Sequence, residues 1–204
     1  MNDPLIRRAF HSSFLKKDHA SANTLIVDEL GIDHGKCRAD IAVINGHYCG
    51  FEIKSEKDTL VRLNKQIEFY DAIFDQSTIV VEQRHLVKGM DLVPKWWGVI
   101  LVKVENEQTI GFETIREPCQ NLLIDDIAVA QLLWRNEAQD ILGGLGVKGK
   151  HLRECRANLY QSIIELLEPQ MIRGVVKEYL MKRQTWRRPL QQPLYDGLPL
   201  PISM

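Results

Sequence analysis

The sequence predicts a mixed α/β fold: one mixed sheet flanked by helices, followed by a C-terminal helical region. Three observations carry this. Runs of β-forming residues recur between positions 24 and 104, two of them joined by the turn dipeptide Asn45-Gly46. After Ser55 the apolar spacing changes from a period of two to steps of three and four. Beyond Pro118 the spacing is helical.

The elements follow in order. Residues 5–16 place Leu5, Ile6, Ala9, Phe10, Phe14 and Leu15 on one helix face, with Pro4 in a tolerated first-turn position. Residues 24–30 and 36–45 read as strands, and residues 48–54 as the second arm of a hairpin around Asn45-Gly46. Leu60, Leu63, Ile67, Tyr70 and Phe74 predict a helix over 58–74, with Ser55 or Asp58 as N-cap. Residues 77–82 and 97–104 give two short strands, and residues 86–94 between them either a short helix or a loop. Three helices are expected over 127–142, 152–167 and 171–182, the first two separated by Gly143, Gly144, Gly146 and Gly149. The chain thus divides into an α/β domain over 1–117, a helical domain over 118–188 and a proline-rich extended tail over 189–204.

With 204 residues, 45% hydrophobic and 26% charged, the composition is that of a globular protein and excludes collagen-like, coiled-coil and disordered classes. No apolar run approaches the roughly 18 residues needed to cross a bilayer. Residues 1–17 alternate charged and apolar side chains instead of building a signal peptide. No membrane partner is expected, and the expected location is cytoplasmic. Cys37, Cys49, Cys119 and Cys155 form no C-x-x-C pair and are expected as free thiols. His34 and Cys37 lack the two further ligands that zinc would need. All six histidines are read as surface or partly buried imidazoles.

The net charge of -1 hides an asymmetry. Residues 148–188 hold ten basic and four acidic side chains, a net +6, against -7 for the remainder. Lys148, Lys150, Arg153 and Arg156 stand at its start and are the candidate nucleic-acid surface, the alternative being a solvated face. Of the four tryptophans, Trp96, Trp97 and Trp134 are expected as buried anchors, and Trp186 is left as a base-stacking candidate.

The chemistry centres on Asp40 and on Glu52-Ile53-Lys54, twelve residues on and across the hairpin. Residues two apart on a strand share a face, so Glu52 and Lys54 lie together and Ile53 points away. The hairpin brings Asp40 alongside them. Two carboxylates and an ammonium among Ile41, Val43, Phe51 and Ile53 are costly in a sheet unless they act on something. A hard divalent cation is the natural partner, because Mg²⁺ takes a few carboxylate oxygens and keeps waters for a substrate phosphate. Lys54 then holds or activates the attacking water.

Asp40 with the Glu52-Ile53-Lys54 triplet resembles the PD-(D/E)XK nuclease superfamily, the restriction-endonuclease-like fold. The Gln66-x-x-x-Tyr70 spacing on the next helix is similar to that of its RecB-type and resolvase-type members. The run RADIAVINGHYCGFEIKSEKDTLVRLNKQIEFYDAIFDQSTIVV, with WWGVILV and LLWRNEA downstream, is similar to the sce7726 family of bacterial and phage proteins. That likeness covers most of the chain, and the nuclease motifs cover about residues 24–82. Ala39 stands where many members carry proline before the aspartate; the carboxylate, which is the ligand, is kept.

The resemblance implies a Mg²⁺- or Mn²⁺-dependent nuclease acting on DNA. Asp40, Glu52 and the Ile53 backbone carbonyl would be metal ligands, and Glu29 would be the upstream acidic residue that completes the site or else a solvent-exposed strand end. It implies that Gln66 orients the nucleophile or Lys54 and that Tyr70 packs near the site. Arg62, on the same helix stripe, is either a phosphate contact or a surface charge. Many such nucleases dimerise to cut two strands, so a homodimer is also in view. The competing expectation is a non-catalytic nucleic-acid-binding or adaptor module that keeps the fold.

Overall fold

The computed structural model describes residues 2–106 and 109–183. Six strands form a single sheet in which every strand lies beside its neighbours in sequence. β1 (Leu25–Ile32), β2 (Cys37–Ile44) and β3 (Tyr48–Lys54) form an antiparallel meander. β4 (Gln76–Glu82) runs parallel to β3, and β5 (Gly98–Asn106) runs parallel to β4. Parallel neighbours need crossovers, which run through α3 (Leu63–Asp71) and α4 (Leu86–Leu92). β6 (Thr109–Arg116) returns antiparallel to β5. Before the sheet come α1 (Asp3–Ala9), a π-helical turn (Phe10–Phe14) and α2 (Lys16–His19). After it come α5 (Asp126–Ala130), α6 (Arg135–Gly144), a 3-10 turn (Gly149–Arg153), α7 (Arg156–Leu166) and α8 (Pro169–Lys182). This is the mixed sheet flanked by helices, with a C-terminal helical region, that the sequence predicts.

Four local differences have physical causes. β6 was not anticipated: half of its residues are polar and none is buried, so apolar alternation is weak. α3 begins at Leu63 and not at 58, because the Asp58 carboxylate accepts the Ser55 N–H at 2.8 Å and the Ser55 hydroxyl at 2.6 Å, which closes a separate turn. The helix expected over 127–142 is two helices. Trp134 is extended, and its N–H is bound at 2.6 Å by Glu137, which starts α6. The segment over 5–16 winds wider at Phe10–Phe14, splitting one helix into α1, the π turn and α2. The tail over 189–204, with Trp186, Arg187 and Arg188, lies outside the described residues.

The sheet has a core on each face. On one side Ile6, Phe10 and Leu15 of the N-terminal helices cover Ile26, Ile41, Val43, Ile53, Val80, Ile100 and Val102. On the other, α3 and α5–α8 share one continuous core with the sheet, built around Tyr70, Phe74, Trp97, Leu133, Ile163 and Val176. Gly50 lets Phe74 lie flat on β3, since a Cβ there would come within 2.5 Å of the ring. Along β1 the positions facing this second core are Leu25 and Val27, then Leu30 and Ile32. Along β2 they are Cys37 and Ala39, then Ala42 and Ile44. The two-residue alternation therefore slips by one in both strands at the same level, where Glu29 has φ 55° and Asp40 lies opposite.

Two ion pairs hold the helical region. Asp75 accepts the Tyr48 N–H at 2.6 Å and pairs with Arg173, whose guanidinium lies 5.0 Å from the Tyr48 ring centre. Glu137 accepts Arg183 Nε at 2.8 Å, and both side chains are buried. Removing one partner of a buried pair strands the other charge, so Glu137→Ala is expected to cost about 3 kcal/mol. Urea denaturation of the full chain measures it.

Candidate active site

The site forms where β2 and β3 part. Their ladder runs from Ile44–Tyr48 to Ile41–Phe51 and stops. The next backbone donor of β3 on that side, the Ile53 N–H, is taken at 2.7 Å by Asp40 Oδ2. A side-chain carboxylate thus replaces a ladder carbonyl, which keeps the strands together while leaving a gap between them. The Tyr70 hydroxyl reaches into the gap from α3, accepting the Asp40 N–H at 3.3 Å and donating to Glu52 Oε2 at 2.7 Å.

Glu52 and Lys54 project from one face of β3, as period-two geometry requires, and are 1% and 5% exposed. Lys54 Nζ donates to Glu52 Oε1 at 2.6 Å and to Gln66 Oε1 at 3.0 Å. Gln66 Nε2 donates to Glu52 Oε1 at 2.5 Å. Gln66 and Tyr70 are one helical turn apart on α3, so a single helix face delivers both. Of the residues expected at the site, Asp40, Glu52, Lys54, Gln66 and Tyr70 come together. Arg62 is exposed at the N-terminus of α3, outside this network. Ile53 turns its side chain into the opposite core.

Burial pushes the Asp40 carboxyl up to about 8, with the Glu52 charge adding to it, against the Ile53 N–H and Arg7, which pull it down. Burial, and then the Glu52 and Asp40 charges, raise the Tyr70 hydroxyl well above its ordinary value. The hydroxyl therefore stays protonated as the donor to Glu52. Burial and the same carboxylate lift the Cys37 thiol to about 11. The cations in reach of the two carboxylates are Lys54 at Glu52 and Arg7 at Asp40. Among the described residues no group of three or more His, Cys, Asp or Glu is arranged to hold a metal ion. Mg²⁺ accepts two carboxylates, a carbonyl and water, and Asp40, Glu52 and the Ile53 carbonyl would be the groups to supply that set.

Glu29 lies within β1 and not at a strand end. Its left-handed backbone turns it toward Arg7, 2.9 Å from Oε1, with Arg38 at 3.7 Å. Asp28 goes instead to His11 at 2.8 Å, and His11 meets His19 at 3.1 Å. Arg7 is the residue that sequence reasoning missed at this site. Its Nη1 donates to the Asp40 carbonyl at 2.5 Å, and its Nη2 lies 3.2 Å from Asp40 Oδ1. The available signal was a charge between the apolar Ile6 and Phe10, both of which are buried.

Lys148, Lys150, Arg153 and Arg156 are exposed on the 3-10 turn and the start of α7. The same helix meets the β1–β2 turn, where Tyr160 and His34 stack with ring centres 5.9 Å apart. Arg173 and Arg183 are not part of a free basic face, since Asp75 and Glu137 hold them. Trp97 is buried and Trp96 partly so, but Trp134 is half-exposed under the Arg183 guanidinium, 4.2 Å from its ring centre. Trp134 is thus a lid on an ion pair and not the buried anchor expected.

A carboxyl raised on folding favours the folded state at low pH, and this advantage is lost as pH rises through its folded pKa. In EDTA the unfolding midpoint is therefore expected to fall from pH about 4, the ordinary carboxyl value, and to level off just above the folded value near 8. Asp40→Asn should flatten that fall. Thermal melts across the range decide it.

The family model described as Bacteriophage P4 protein cII matches residues 6–192. Protein cII of Enterobacteria phage P4 is 23% identical over 168 residues, which cover 82% of this chain and 61% of the relative. The chain thus spans about three-fifths of that relative's length. No solved structure matches. The matched span takes in Arg7, Asp40, Glu52, Lys54, Gln66 and Tyr70, and the chain belongs to the bacteriophage P4 protein cII family.

Proposed function

We propose that this protein is a metal-dependent phosphodiesterase that hydrolyses DNA, built as a PD-(D/E)XK nuclease. One observation carries the reading: Asp40 and Glu52 stand together at the parting of β2 and β3, with the Lys54 ammonium held beside them by Gln66. Asp40, Glu52 and the Ile53 carbonyl would hold Mg²⁺ or Mn²⁺. When bound, such an ion lowers the pKa of a coordinated water and polarises the phosphodiester.

The chain's own groups do the rest. Lys54 positions the attacking water and offsets the negative charge that develops on the phosphate. Gln66 fixes the ammonium through its amide oxygen and Glu52 through its amide nitrogen. Tyr70 anchors Glu52 from the buried side. Arg62 and the exposed Lys148, Lys150, Arg153 and Arg156 are the groups offered to DNA phosphates. One such site cuts one strand, and a homodimer would cut two. The same reading places the protein in the cytoplasm, where its four free cysteines stay reduced.

A second reading, a module that binds nucleic acid without cutting it, is favoured by one feature. Both Glu52 oxygens already accept donors, from Lys54, Gln66 and Tyr70. The decisive assay is DNA cleavage with Mg²⁺ or Mn²⁺ by wild type, Asp40→Ala and Lys54→Ala proteins. Each substitution is expected to lower the rate about a hundredfold or more. Equal rates in all three would sink the nuclease reading. Salt-sensitive, metal-independent binding that survives Glu52→Gln would support the second.

A further inference from the structure

Arg7 reaches Asp40 from the N-terminal helix, with a guanidinium shared among three carboxylates. Its Nη2 lies 2.9 Å from Glu29 Oε1, 3.2 Å from Asp40 Oδ1 and 3.3 Å from Asp3 Oδ2. The side chain is 15% exposed, and α1 is pinned to the sheet by Ile6 and Phe10 on either side of it. The guanidinium therefore has little freedom except to change partners. Asp40 Oδ2 is committed to the Ile53 N–H, so Oδ1, the oxygen Arg7 touches, is the one left for an incoming cation. A divalent cation there would displace Arg7 from the Asp40 carboxylate and repel it, while Nη1 keeps the Asp40 backbone carbonyl as an acceptor. Asp3 and Glu29 remain as its carboxylate partners.

We infer that Arg7 is an internal counter-ion that competes with the divalent cation for Asp40, with Asp3 and Glu29 as the carboxylates that keep it when the cation binds. This rests on the proposed reading of Asp40 as a metal ligand. It gives Glu29 a different task from the one the family resemblance implies: Glu29 holds the displaced arginine and does not ligate the metal. It also accounts for the left-handed backbone at Glu29, which aims that carboxylate at Arg7.

The test is Mn²⁺ binding to the full chain by calorimetry. Arg7→Gln is expected to bind Mn²⁺ about fivefold tighter than wild type, the fold-change that loss of one partly exposed competing ion pair produces. Equal or weaker binding by Arg7→Gln, with binding abolished in Asp40→Asn, overturns the inference and leaves the nuclease reading standing. No Mn²⁺ binding by either wild type or Arg7→Gln overturns both. A wild-type measurement guards against a variant that folds poorly. The NMR signal of the Arg7 Nε–H is expected to shift on saturation with Mg²⁺, and an unchanged signal at saturation overturns the competition.

Discussion

Past the Ile41–Phe51 pair the ladder between β2 and β3 ends, and the carboxylate of Asp40 takes the Ile53 N–H that a backbone carbonyl would otherwise have bound. A buried amide left without an acceptor costs about 1–3 kcal/mol, so the strands can part here only because a side chain stands in. The parting makes room for the Tyr70 hydroxyl, which ties the Asp40 backbone to the Glu52 carboxylate. The alternation slip shared by β1 and β2 falls at the same level and lets Asp40 and Glu29 leave the ordinary faces of the sheet. The geometry of the site thus follows from one substitution in a hydrogen-bond ladder.

Placing Glu52 and Lys54 almost wholly out of water is expensive, and their mutual attraction alone does not make such a pair stabilising. What makes it tolerable is that each charged group is also hydrogen-bonded. Gln66 bridges both, and Tyr70 serves the second carboxylate oxygen. Tyr70 is in turn fixed by aromatic neighbours, with ring centres 5.0 Å from Phe74 and 5.2 Å from Trp97. The Phe74 position depends on the bare backbone of Gly50 in the strand that carries Glu52. A chain of packing contacts therefore runs from the aromatic core to the oxygen atoms of the site. Arg7 supplies positive charge from the opposite face, so the polar cluster is assembled from both sides of the sheet.

The helical region shares its core with the sheet, and its charge is only partly a surface property. Arg173 and Arg183 are used to fasten helices, through Asp75 and Glu137. The cations that remain in solvent at the start of the basic window, Lys148, Lys150, Arg153 and Arg156, are presented by a 3-10 turn and the first turn of α7. A net charge counted over a window mixes these two uses, which differ in whether a partner chain segment has already claimed the side chain.

Local sequence was enough for the first five strands and for the pairing of Asp40 with Glu52 and Lys54. Period two puts the latter two on one face, and a short loop at Asn45-Gly46 sets the register within the meander. A helical spacing of four put Gln66 and Tyr70 on one stripe, and the family resemblance implied their place beside Glu52 and Lys54. Local sequence was insufficient for β6, whose half-exposed residues carry little alternation, and for the start of α3, where Asp58 had a nearer donor in Ser55. Trp134 was misjudged for another reason: its partner, Arg183, is distant in sequence. Arg7 lies 33 residues from Asp40, and Glu29 needed a left-handed turn that no pattern announces. The sequence by itself determined which residues lie on which face of a strand or helix, since that is set by backbone periodicity. Only the tertiary structure decided which charges meet, because burial and long-range packing choose the partner of each ion.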